Sequence, residues 1–84
     1  MDEAKIEFPC DYPIKVISEN SETVVTEIEA IARKYDPELK HVELNKSKKG
    51  NYISVRLPFR ATGTEQIKAL FEDLKTLPGV RMVL

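Results

Sequence analysis

The chain has 84 residues, which is room for one domain and too few for a doubly wound nucleotide fold or a catalytic barrel. With 42% hydrophobic and 32% charged residues, and only three Gly and five Pro, it has the composition of a folded domain rather than a disordered one. The net charge of −1 sets up no overall field toward nucleic acid or membrane, and the single cysteine, Cys10, excludes an internal disulfide. The N-terminal MDEAKIEF is acidic and lacks the apolar run of a signal peptide, and no apolar stretch approaches a membrane span. The expectation is a cytoplasmic protein without a membrane segment.

Residues 1–11 read as an arm, with four acids against Lys5 and with Pro9 limiting ladder bonds, while Phe8 offers a means of pinning it to the body. A single domain is expected over residues 12–84. Ile14 and Val16 alternate with Lys15 as a half-buried strand requires. Asn20 or Ser21 can cap the helix that follows, whose apolar stripe is Val24, Val25, Ile28, Ile31, Ala32 and Tyr35. Asp36-Pro37 stops it, because the residue before proline is pushed out of helical geometry.

His41 to Asn45 alternates again and puts Val42 and Leu44 on one face. Residues 46–51 form a hairpin connection in which Gly50 or Asn51 takes positive φ. The next strand faces Ile53, Val55, Leu57, Phe59 and Ala61 one way, with Pro58 arguing for an edge or a bulge. Thr62-Gly63-Thr64-Glu65 fits a capping box, and Ile67, Leu70, Phe71, Leu74 and Leu77 supply a second helical stripe ended by Pro78-Gly79. The last five residues make a final strand with Val80 and Met82 inward. The order strand, helix, strand, strand, helix, strand is the ferredoxin-like βαββαβ arrangement of an α+β fold. Its four-stranded antiparallel sheet has strands one and three in the middle and both helices on one face.

Charge is uneven along this frame. Residues 19–38 hold six acids against two bases, whereas residues 40–60 hold six bases against one acid. On strand parity Lys15, Arg56, Arg60 and Arg81 point out of the uncovered sheet face, with Tyr52 and Ile17 beside them and Lys49 in the hairpin. These six polar residues (Lys15, Lys49, Tyr52, Arg56, Arg60 and Arg81) are the candidate site for an anion or an acidic partner. The plainer alternative is that an uncovered sheet face must carry charge to stay in solution.

From Lys49 onward, Lys49-Gly50-Asn51-Tyr52, Ser54-Val55, Ala61-Thr62, Glu65-Gln66 and Val80-Arg81-Met82-Val83-Leu84 resemble the YbeD-like family of small bacterial proteins. Phe8-Pro9 and Lys15-Val16 fit the same pattern. The resemblance implies a ferredoxin-like fold similar to ACT regulatory domains, which bind small metabolites such as amino acids. ACT domains usually carry a glycine between the first strand and first helix, where this chain has Ser18-Glu19-Asn20-Ser21.

Chemistry-bearing sets are sparse. One Cys and one His fall short of a four-ligand zinc site, and nothing in the sequence brings Cys10 and His41 into hydrogen-bond reach. Neither metal nor cofactor is expected, and the reading is non-enzymatic: a regulatory or binding module acting through a protein partner, self-association or a small anionic ligand. The rival is weak single-stranded RNA binding on the basic face. Lys49-Gly50 opens like the RNA-recognition signature, but Asn51, Ile53 and Val55 stand where stacking aromatics are needed.

Overall fold

The computed structural model describes residues 7–84, so the first six residues of the expected arm lie outside it. Eight elements follow in order: β1 (Cys10–Asp11), β2 (Ile14–Glu19), α1 (Glu22–Tyr35), β3 (Glu43–Lys46), β4 (Tyr52–Leu57), β5 (Arg60–Ala61), α2 (Thr64–Lys75) and β6 (Val80–Val83). Four of the strands make an antiparallel sheet ordered β3-β4-β2-β6. Relative to the βαββαβ scheme, the first and third strands are central, as expected. The fold is α+β and ferredoxin-like, with Ile14, Val16, Ile53, Val55 and Leu57 of the sheet buried in one core with Val24, Ile28 and Ala32 of α1 and Leu70 and Leu74 of α2.

Four local expectations change. The long strand expected through Ala61 ends at Leu57, because Pro58 has no N–H to continue the ladder. The chain pivots there, Phe59 N–H turning back to the Leu57 carbonyl at 2.8 Å. β5 then pairs with β1 instead, with Cys10 opposite Ala61 and Asp11 opposite Arg60. The end of the arm is thus hydrogen-bonded to the body, and Phe8 packs on the core. Inward alternation survives the break, since Phe59 and Ala61 are fully buried.

The edge strand differs as well. Val42 is buried, but Leu44 is 50% exposed although it sits opposite buried Val55. α1 packs on β2 and β4, and the sheet extends one strand beyond its helical cover. At the other edge, Ser18 pairs with Val80 and Ile17 with Met82, so Arg81 is an extra residue inserted between two consecutive partners. This bulge turns Met82 onto the uncovered face, where it is 50% exposed, and brings Val83 inward opposite Val16.

Ser21 caps α1, its hydroxyl accepting the Val24 N–H at 3.4 Å. The capping box at Thr62 does not form. α2 starts one residue later, with Gly63 as a cap that has no side chain to offer. Gln66 takes over: its Oε1 accepts the Thr62 N–H at 2.7 Å, and its Nε2 donates to the Tyr35 carbonyl at 2.8 Å. One amide thereby satisfies a donor at the start of α2 and an acceptor at the end of α1. Gln66→Ala is expected to cost about 1–2 kcal/mol in urea denaturation, against less than about 0.5 kcal/mol for Thr62→Ala.

The helices also meet through Tyr35, whose hydroxyl donates to the Asp73 carboxylate. That bond holds the phenol proton and, with some desolvation, raises its pKa above the ordinary 10.0. A raised phenol pKa adds stability that is fully present below pH 10.0 and disappears as pH climbs through the folded value. The stability difference between the parent and Tyr35→Phe should therefore hold constant to that pH and shrink above it. Alkaline urea titrations of both proteins measure this.

Candidate functional site

The sheet face away from the helices is laid out in rows by strand register. One row runs Glu43, Arg56, Lys15 and Leu84, where Arg56 lies opposite both Glu43 and Lys15. Leu84 is tied to Lys15 by reciprocal backbone bonds of 2.8 and 3.1 Å. A second row runs Asn45, Ser54, Ile17 and Met82. A third begins with Tyr52 opposite Glu19 and ends on the bulged Arg81. The face therefore has a polar half on β3 and β4 and an apolar half of Ile17, Met82 and Leu84, with Lys15 and Arg56 at the seam.

Of the six residues singled out in the sequence, four share this face. Lys15 and Arg56 are adjacent at its centre, and among the described residues no carboxylate forms an ion pair with either. Tyr52 and Arg81 meet at one end, where the guanidinium lies 5.9 Å from the ring centroid and 3.0 Å from Glu19 Oε2. Lys49 stands apart at the exposed hairpin tip. Arg60 leaves the face altogether. The break at Pro58 carries it onto β5, where its guanidinium pairs with Asp11 at 3.3 Å and its N–H donates to Asp36 Oδ2 at 3.0 Å. A cavity of about 460 Å³ opens beside it, between Asp11, Tyr12, Asp36 and Lys40.

Sequence reasoning missed Glu19 and Glu43. Counting charge by region assigned one acid to an acidic stretch and outvoted the other, whereas only the register shows both standing on the basic face. It also missed Met82 and Leu84, because simple alternation takes no account of a bulge.

At the Arg81 end three loops converge. Asn20 Nδ2 donates to the Gly50 carbonyl at 2.9 Å, and Asn20 N–H donates to the Asn51 carbonyl at 3.2 Å. Glu19 N–H donates to Gly79 at 2.8 Å. These bonds border a shallow depression of about 440 Å³ between Glu19, Asn20, Tyr52 and Arg81. Gly79 has φ +96°, and a Cβ there would stand 2.9 Å from Cγ2 of Val24. Val24 is buried and stiff at χ1, so it yields little.

Residues 3–84 match the family model described as "Protein of unknown function (DUF493)". A UPF0250 protein of Hahella chejuensis is 42% identical over 84 residues, spanning 95% of this chain and 90% of its own length. One from Azotobacter vinelandii is 39% identical over 83 residues with the same spans. The chain belongs to this family. It is the family that the residues from Lys49 onward resemble. Among solved structures, a protein from H. pylori superposes with a TM-score of 0.82 at 20% identity, over 98% of this chain and 88% of that one. The ACT domain from GTP pyrophosphokinase of Chlorobium tepidum gives a TM-score of 0.71 at 19% identity, over 89% and 97%. These likenesses establish an ACT-like ferredoxin fold. No helix among the described residues is long and apolar enough to cross a membrane.

Where an ACT domain usually has glycine, this chain closes the loop with the Asn20 side chain instead. Close backbone approach is needed at Gly79, and Gly79→Ala is expected to lower stability by more than about 1 kcal/mol. Urea midpoints check it, with Gly63→Ala as a control, since a Cβ there meets nothing within 4 Å.

Proposed function

We propose that this protein is a non-enzymatic binding module that receives a small anionic ligand, or an acidic surface of a protein partner, on the seam of its uncovered sheet face. The observation that carries this reading is Lys15 directly opposite Arg56. Like charges in register on neighbouring strands destabilise a sheet, and among the described residues Lys15 has no acid on its Leu84 side to offset Arg56. Two parallel cations at one point favour a carboxylate, a phosphate or an acidic side chain. Ile17, Met82 and Leu84 beside them add apolar contact area.

The non-enzymatic part is supported by the dispersal of reactive groups. Cys10 lies half-buried on β1, whereas His41 is exposed just before β3. Among the described residues no group of three or more acids, histidines or cysteines is placed to hold a metal ion. RNA has less support than a compact anion, because Tyr52 is the one aromatic on this face and Arg81 lies over its ring.

Lys15→Thr should raise stability by about 0.2–1 kcal/mol by removing the like-charge pair. The same change should weaken anion binding. Chemical-shift titrations with inorganic phosphate, citrate, nucleotides and short RNA test this. Shifts at Lys15, Arg56 and Ile17 that fade with rising salt and are lost in Lys15→Thr are expected. A face that responds to none of these probes overturns the reading.

A further inference from the structure

The two edges of the sheet are unlike. β6 is kinked by its bulge at Arg81, which spoils it as a template for another strand. β3 is regular, pairing without interruption from Glu43 opposite Arg56 to Lys46 opposite Ile53, and all four of its residues are exposed. The hairpin fixes which of its backbone groups face outward. Ser47 N–H donates to the Tyr52 carbonyl at 2.9 Å. Backbone groups bonded to one neighbour recur at every second residue of an antiparallel strand. Asn45 and Glu43 therefore turn toward β4, and Leu44 and Lys46 turn their N–H and C=O groups to the free edge.

We infer that β3 pairs antiparallel with β3 of a second copy of this chain, about a two-fold axis at Leu44. Pairing Leu44 with the partner's Leu44 gives two reciprocal backbone bonds between the outward groups. The same register sets Val42 opposite the partner's Lys46, and Glu43 opposite the partner's Asn45. All members of each pair lie on the same face, as an antiparallel ladder demands. Leu44 is 50% exposed because the helices stop short of β3, and this pairing covers it with its own copy.

Charge is complementary in the same register. A groove runs between α1 and β3, lined by Glu29, Val42 and Leu44. Lys46 lies on the helix side of the sheet, since its partner Ile53 is buried there. Opposite Val42, the partner's Lys46 enters this groove beside Glu29. Among the described residues, the one ion pair Glu29 has to give up is a long contact of 3.8 Å with Arg33. A lysine on an edge ordinarily discourages strand addition, but here each copy supplies the acid that answers it. The proposal uses the edge and its groove, not the seam of the uncovered face, and holds or fails independently of anion binding.

Sedimentation equilibrium across a concentration series, up to about 1 mM to reach even a weak interface, provides the test. A monomer–dimer equilibrium is expected. Leu44→Asp, at a position exposed in the single chain, should abolish the dimer while leaving the circular dichroism spectrum unchanged. Lys46→Glu should weaken it roughly tenfold or more, and Lys46→Glu combined with Glu29→Lys should restore it. A chain that stays monomeric throughout overturns the proposal. So does a dimer that survives Leu44→Asp, or one lost in Met82→Asp, which places the contact on β6.

Discussion

Register along β2 governs the rest of this molecule. Ile14, Val16 and Ser18 are sealed from water while Lys15, Ile17 and Glu19 face the other way. The strand is paired on both sides, with β4 and with β6. A slip of one residue against either neighbour would drive Lys15 and Glu19 under the helices and bring Val16 out. Burial of an unpaired charge is among the costliest errors a small core can make. The seam of the uncovered face and the closed loop at Asn20 inherit their positions from that one alternation. A chain of this size has little other apolar surface with which to enforce it.

A second set of constraints gathers at the end of the molecule where α1 finishes. Asp36 is nearly buried, and both carboxylate oxygens are engaged, with the Glu38 N–H at 3.2 Å and the Arg60 N–H at 3.0 Å. It caps the turn that follows the helix and also fastens β5, the strand that Pro58 detaches from the main sheet. Arg33 contributes from the same side, donating to the Leu39 carbonyl at 2.7 Å. Polar bonds thus hold the region where strand pairing lapses, as buried backbone groups require.

The order of the two helices and the four strands of the main sheet, both helical stripes and a cap at Asn20 or Ser21 were legible in the sequence, because each rests on local periodicity or on one residue's chemistry. The failures have a common origin. Leu44 and Val42 are both apolar and share parity, but only the extent of the helical layer decides that one is buried and the other exposed. Thr62 matches the capping pattern, but Gln66 reaches both helices and the helix starts accordingly. Arg60 obeys the alternation of β4, yet the pivot at Pro58 carries it away from Arg56. Glu19 and Glu43 were hidden because cross-strand neighbours are distant in sequence: Glu19 faces Tyr52 and Glu43 faces Arg56. Which face each strand presents was largely readable, and which residues stand directly opposite one another across strands was not.

The inserted residue at Arg81 also bears on stoichiometry. A sheet with two regular edges can recruit a copy at each, and growth from both sides has no natural end. With β6 kinked and β3 regular, the four-stranded sheet offers one regular edge for extension. The two-fold contact inferred for β3 would use up the regular edge of both participants and so close the assembly at two. In that sense one extra residue on the far side of the sheet acts as a terminator, separating a finite particle from a polymer.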